Sequence, residues 1–458
     1  EEQARAKADQ IFVSIVGGGA LTFGELRDQV AQFASMLASF GVVAGDHIAI
    51  MLPNGLDFIR AWAGVGRLGA VAVVINTELT GTFLQHPLAD SMPKILIVHS
   101  DYLERIDDLG DGVSAIGQII VAGTAPTVET ARLHLFEGWK RMALYSGPMP
   151  AAHDLACIMY TSGTTGAPKG VLMPHGHCYL FGLGAVDNLG VNPEDRYYIC
   201  LPLFHANGLL MQLSAAMIAG ARAIIRDRFS ASIWLDDVRA SRATITHCLG
   251  VISAFVIAQP PRIDDRDHAL RLILSAPNHP DHELAWRERF GIADVVSGFG
   301  MTEVNIPLYG DRTQPRPGSC GRAYSRYFEV EIRDSATDIP VDRGEVGEIM
   351  VRPRVASGFM AGYHGLPERT VEAWRNFWFH TGDSGRMDAE GYVYFIDRIK
   401  DCIRRRGENV SATDIEAAFL DLPGVAEIAA YAVPSEIDGG EDEIMLALVP
   451  SQDAHIEP

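Results

Sequence analysis

The sequence is short of cysteine, shorter of lysine, and has no long apolar run, and each shortage excludes something. Its six cysteines, at 157, 178, 200, 248, 320 and 402, form no CxxC element, so neither a zinc site nor a disulfide scaffold is expected; a reducing cytoplasmic compartment suits them. No apolar stretch reaches the roughly 18 residues of a membrane-spanning helix. The longest candidate, Leu209 to Ile225, is broken by Gln212, Ser214, Gly220 and Arg222. The opening EEQARAKADQ is too charged for a secretory signal, and the missing initiator Met and the ending HIEP read as trimmed ends. Basic residues number 38 against 58 acidic ones, and the formal charge of −20 opposes binding to nucleic acid or anionic membrane. Small-molecule chemistry is the expectation.

What is present is an ordinary globular composition, 48% hydrophobic and 21% charged over 458 residues, enough for two to four domains. Thr22 and Glu25 are spaced as a capping box ahead of a helical stripe of Leu26, Val30, Phe33 and Leu37, with Gly41 as its stop. HIAIML (47–52), a helical stretch from Phe58 to Leu68, and AVAVVI (70–75) begin an alternation of strands and helices. KILIVHS, QIIVAG, ARAIIRD, LRLILSA and ADVVSGFG continue it. This predicts an α/β fold with parallel pairing. Residues 318–396 read as a β-rich subdomain completing an N-terminal domain over 1–397. Residues 398–458 read as a small, incomplete α+β domain with a helix at 412–421 and strands near 427–433 and 443–449.

Four segments carry chemistry. IMYTSGTTGAPKGVLMPHG (158–176) places a glycine- and hydroxyl-rich loop with one lysine between two strands. Gly163 and Gly166 free the backbone to turn its N–H groups inward, Thr161, Ser162, Thr164 and Thr165 add hydroxyls, and Lys169 adds charge, a set suited to a polyphosphate. It is not a Walker loop, because Pro168 precedes the lysine and a strand follows. SGFGMTE (297–303) offers an aromatic, a hydroxyl and a carboxylate, and FHTGD (379–383) an aspartate in a glycine turn able to accept ribose hydroxyls. DRIKDCIRRRGENVSATDIE (397–416), taken alone, would pass as an exposed basic helix start.

In this order the four segments resemble the adenylate-forming (AMP-binding) superfamily, acyl-CoA synthetase branch. LTFGELRDQVAQFASMLASFGVVAGDHIAIMLPN and GEVGEIMVRPRVASGFMAGYHG strengthen the match, which runs from about Leu21 to Pro450. The resemblance implies activation of a small-molecule carboxylic acid by ATP and Mg²⁺ to an acyl-AMP, then transfer to coenzyme A. It assigns Thr161, Ser162, Gly163, Thr164, Thr165, Gly166 and Lys169 to the β- and γ-phosphates, Thr302 to the α-phosphate and Glu303 to Mg²⁺. Phe299 and Gly300, with Ala276 and Pro277, would hold adenine, and Asp383 and Arg398 the ribose. Lys400 would be the hinge between half-reactions, and Gly407 to Ser411 would line the pantetheine tunnel. LPLFHANGL (201–209) is similar to the segment of acyl- and aryl-CoA ligases, which puts His205 at the acyl-pocket mouth and HCLGV (247–251), Val304 and Asn305 at its floor. GENVS is reminiscent of carnitine- and crotonobetaine-type ligases.

Two departures stand out. Leu274-Ser275-Ala276-Pro277-Asn278 replaces the family's Gly-Gly-Ala-Pro or Gly-Ala-Ala-Pro run, which would reshape the adenine wall. The family's C-terminal Gly-Lys segment is not among the five lysines, at 7, 94, 140, 169 and 400. Either it lies beyond Pro458 or the protein is a non-catalytic nucleotide-binding relative, and the intact upstream motifs favour the first. Loading of a carrier-protein thiol is the alternative to coenzyme A, and a homo-oligomer is left open.

Overall fold

The computed structural model describes the chain except residues 114–115, 125–131, 162–166, 400–401, 406–407, 413–414, 417–418, 420–423, 434–442 and 452–458; for 111, 402–405 and 408–411 it describes backbone only. Two compact units result: Glu1–Phe328 with Pro353–Glu372, and Glu329–Arg352 with Ala373–Pro458.

The first unit holds two large sheets. In one, eight strands run in the order 362–363, 169–174, 155–161, 71–74, 47–51, 95–99, 118–122 and 133–135. All its pairs are parallel except those made by Lys169–Pro174. The other orders seven strands as 294–296, 272–276, 245–249, 196–199, 222–225, 11–15 and 20–22, parallel but for the terminal hairpin. Runs such as Ile95–Val98 are apolar at every position and wholly buried, because helices cover both faces of a parallel sheet. The expected α/β alternation is observed, each strand within a residue or two of its apolar run.

The capping box forms as read: Glu25 N–H donates to Thr22 Oγ1 (3.1 Å) and Thr22 N–H to Glu25 Oε2 (2.8 Å), opening helix Phe23–Ser39. Leu26, Phe33 and Leu37 are buried, each contributing roughly 1.5–3 kcal/mol. Phe33 lies against Gly64 of helix Leu56–Leu68, where a Cβ would sit 2.7 Å from the ring, so any larger residue at 64 would force these helices apart.

Asn54, just past strand His47–Met51, joins the two sheets. Its Nδ2 donates to the carbonyls of Leu201 and Arg226 (both 3.0 Å), and its Oδ1 accepts from Leu203 N–H (2.7 Å). A three-stranded antiparallel sheet, Gly298–Met301, Asn305–Tyr309 and Arg322–Ala323, follows the last strand of the seven.

The second unit is built on a four-stranded sheet ordered 328–333, 346–353, 379–387 and 393–398. Beyond it the basic stretch forms a hairpin, Cys402–Arg405 with Glu408–Ser411, where the isolated segment had suggested a helix start. Val425–Val433 pairs antiparallel with Glu443–Pro450, close to the expected strands. The helix expected at 412–421 falls largely outside the described residues. Among the described residues no helix is long and apolar enough to cross a membrane.

Candidate active site

In an open parallel sheet the carboxyl ends of the strands define the binding crevice. The sequence-expected residues of the first unit gather at such ends. Thr161 closes strand Leu155–Thr161 and pairs in register with Lys169, so the glycine-rich segment joins two antiparallel strands. Residues 162–166 of that segment, and the hinge candidate Lys400, lie outside the described residues. In the seven-stranded sheet, Ala276 ends strand Leu272–Ala276, followed by Pro277, and Phe299, Gly300, Thr302 and Glu303 follow strand Asp294–Val296. His205 is exposed, after strand Arg196–Ile199 and before a π-helical turn at Asn207–Leu213.

Gly300 is a steric necessity. A Cβ there would stand 2.3 Å from the carbonyl oxygen of Asn305 and 2.4 Å from Ile306 Cδ1. Phe299 is 9% exposed, paired across the ladder with Leu308. The Glu303 carboxylate is 4% exposed; its Oε1 accepts a hydrogen bond from Tyr363 Oη (3.1 Å), and its carbonyl accepts from Met360 N–H (3.0 Å). Burial, then the charge of Glu303, raises the Tyr363 pKa far above the usual phenol value, so the hydroxyl keeps its proton and remains a donor. The Lys169 ammonium stands 4.1 Å from the centroid of the same ring.

Sequence reasoning missed the supports. His177, fully buried, sets Nε2 2.8 Å from the Thr302 carbonyl and Nδ1 2.9 Å from that of Gly358. Burial pushes its pKa below the ordinary imidazole value against the pull of both carbonyls. Asn305, expected at the acyl-pocket floor, is buried with its carboxamide engaged: Nδ2 donates to the His177 carbonyl (3.0 Å) and Oδ1 accepts from Ile306 N–H (2.9 Å). Its φ of 69° bends the chain behind Glu303. His247 is likewise interior, with Nδ1 donating to Asn207 Oδ1 (2.7 Å) and Nε2 accepting from Tyr197 Oη (2.5 Å), and burial lowers its pKa to about 3.

In the second unit Asp383 and Arg398 are cross-strand partners, with Arg398 Nε 3.2 Å from Asp383 Oδ1. Where the sequence suggested a tight turn, Gly382, at φ 72°, lies inside strand Phe379–Met387 at an irregularity of its ladder with Val346–Pro353, and its N–H donates to the buried Glu348 carboxylate (2.9 Å).

Among the described residues no cluster of three or more His, Cys, Asp or Glu could hold a metal alone. Mg²⁺ does not need one, since it binds through one or two carboxylates, substrate phosphates and its own waters, and the buried carboxylate of Glu303 fits that chemistry.

The chain is similar to known proteins along most of its length. The family model described as AMP-binding enzyme matches residues 1–364. The crotonobetaine/carnitine–CoA ligase of Salmonella paratyphi B is 30% identical over 435 residues, spanning 93% of this chain and 83% of that protein. The crystal structure of the anthranilate CoA ligase AuaEII in complex with anthranoyl-AMP superposes with a TM-score of 0.87 at 25% identity, covering 98% of this chain and 87% of that one. ATP-bound MatB from Rhodopseudomonas palustris gives 0.86 at 26% identity, covering 99% and 89%. With its glycine-rich hairpin and this breadth of similarity, the chain belongs to the AMP-binding enzyme family, as an AMP-forming acyl-CoA ligase.

Proposed function

We propose that the protein, acting in the cytoplasm, uses ATP and Mg²⁺ to activate a small or medium carboxylic acid and passes the acyl group to coenzyme A. The observation that carries this reading is the convergence of Lys169, Tyr363 and Glu303 in one contact chain, with Thr302 adjacent in sequence. A carboxylate attacking the α-phosphorus approaches a polyanion, so repulsion must be cancelled by donors already in place. Lys169 and Thr161, with the loop hydroxyls between them, meet the β- and γ-phosphates, and Thr302 meets the α-phosphate. Glu303 would hold Mg²⁺, which when bound neutralises phosphate charge. Gly300 allows close approach of the nucleotide, Phe299, Ala276 and Pro277 flank adenine, and Asp383 with Arg398 recognises the ribose. His205 stands at the acid's entrance. In the second half-reaction the coenzyme A thiolate attacks the acyl carbonyl of the mixed anhydride and AMP leaves.

The test is a carboxylic-acid panel with ATP, Mg²⁺ and coenzyme A, including crotonobetaine, carnitine and anthranilate, on which relatives or structural neighbours act by name. The expected result is AMP release that requires both an acid and coenzyme A. Pyrophosphate release with acylation of a phosphopantetheine carrier, and none of free coenzyme A, would overturn the acceptor assignment.

A further inference from the structure

Tyr363 belongs to none of the four motifs that carry chemistry, yet it touches two of them. Its hydroxyl donates to Glu303 Oε1, and its ring carries the Lys169 ammonium over one face. Backbone contacts hold it on both sides. Gly362 and Tyr363 pair antiparallel with Leu172 and Val171, and His364 N–H donates to the Gly170 carbonyl (2.8 Å), which docks the segment onto the strand that Lys169 begins. Met360 N–H bonds to the Glu303 carbonyl, which docks it onto the other motif. Tyr363 N–H donates to Thr370 Oγ1 (2.9 Å), and the side chain is only 6% exposed, so the ring has little freedom.

Lysine and glutamate have opposite charges and long, rotatable side chains, and left to themselves such groups settle into whichever geometry solvent and each other allow. A phenol between them offers each charge a different surface: the electron-rich ring face to the ammonium and the polar O–H to the carboxylate. We propose that Tyr363 is a positioning residue for nucleotide activation, which holds the phosphate-binding lysine and the metal-binding carboxylate in one arrangement before ATP arrives. The assignment rests on the reading of Lys169 and Glu303 given above.

The two functions of the side chain can be separated. Tyr363→Phe keeps the ring and removes the hydroxyl, whereas Tyr363→Leu removes both. Binding of a non-hydrolysable ATP analogue is measured by titration calorimetry with the full chain, across a Mg²⁺ series and in EDTA, so that no turnover is needed. A hydrogen bond to a charged group sets the scale at about tenfold, and a cation–π contact at about fivefold. Tyr363→Phe should raise the Mg²⁺ concentration for half-maximal binding about tenfold and leave Mg²⁺-free binding within about twofold of wild type. Tyr363→Leu should in addition weaken Mg²⁺-free binding about fivefold. A Phe variant with wild-type Mg²⁺ dependence, or Phe and Leu variants equal in both measures, would overturn the proposal and leave Tyr363 as packing. The wild-type and Phe proteins decide the hydroxyl's role even where the Leu variant does not fold. Glu303→Gln separates the two levels of inference: if it binds the analogue with unchanged Mg²⁺ dependence, the metal reading of Glu303 fails and the proposal with it.

Discussion

The two units place the residues proposed to act on the nucleotide by different means. In the first, Thr302, Glu303 and Lys169 are at strand ends in separate sheets, and their arrangement depends on polar side chains that reach across the sequence: His177 to Thr302, Asn305 to His177, Tyr363 to Glu303, Asn54 between the sheets. In the second, Asp383 and Arg398 are neighbours because a β-ladder makes them so. The difference predicts that the part assembled by register tolerates local change, whereas the part assembled by distant buried hydrogen bonds transmits it.

Two glycines put that difference under the greatest load. Gly300→Ala drives a methyl group into the Asn305 carbonyl and displaces the Glu303 loop. A misplacement of about 1 Å in a reacting group costs on the order of 100-fold in rate, and adenylation measured by pyrophosphate release should fall at least that far. Gly382→Ala meets nothing within 4 Å and has only its left-handed backbone to overcome, at about 1–2 kcal/mol, so it should lower the melting temperature and leave most activity. Equal losses in the two variants would erase the distinction.

Of intermediate size is Asp383→Asn, which keeps the shape and the ladder but removes the charge. A tenfold rise in KM for ATP is expected, on the scale of about 1.5–3 kcal/mol for a charged hydrogen bond, with an unchanged Mg²⁺ requirement. A shifted Mg²⁺ requirement would contradict the assignment of Asp383 to the ribose.

The smallest effect is in pH dependence. His247 has its pKa lowered from 6.5 to about 3, so the unfolded chain binds the extra proton first. Its contribution to stability is therefore complete above pH 6.5 and declines as pH falls from there towards 3, by up to about 1.4 kcal/mol per unit. His177 shifts in the same direction. His247→Gln should flatten the fall in melting temperature between pH 6.5 and 4.5. A slope as steep as that of wild type would show that other groups set it.

Much of this was legible in sequence because it is local. The capping box at Thr22 and Glu25, the apolar strand runs and the glycine-rich hairpin each carry their signal within a few residues. FHTGD is legible in part: a ladder places Asp383 opposite Arg398, but Gly382 bulges within strand Phe379–Met387 and bonds to Glu348 where a turn was expected. His177, Asn305 and Tyr363 could not be read in this way. Their partners lie 60 to 181 residues away, and a buried polar side chain in an apolar helix or a two-residue strand has no periodicity to mark it. Asn305 is next to the motif in sequence, yet its carboxamide is engaged at His177, 128 residues away.

Asn54 carries one more consequence. Its carboxamide reads two carbonyls and one N–H at fixed reach, a pattern that aspartate would answer with repulsion and glutamine with the wrong length. The junction is a lock cut for one key. Because it ties a loop of one sheet to loops that follow two strands of the other, neither side can move away from the other here without breaking bonds made by this one side chain.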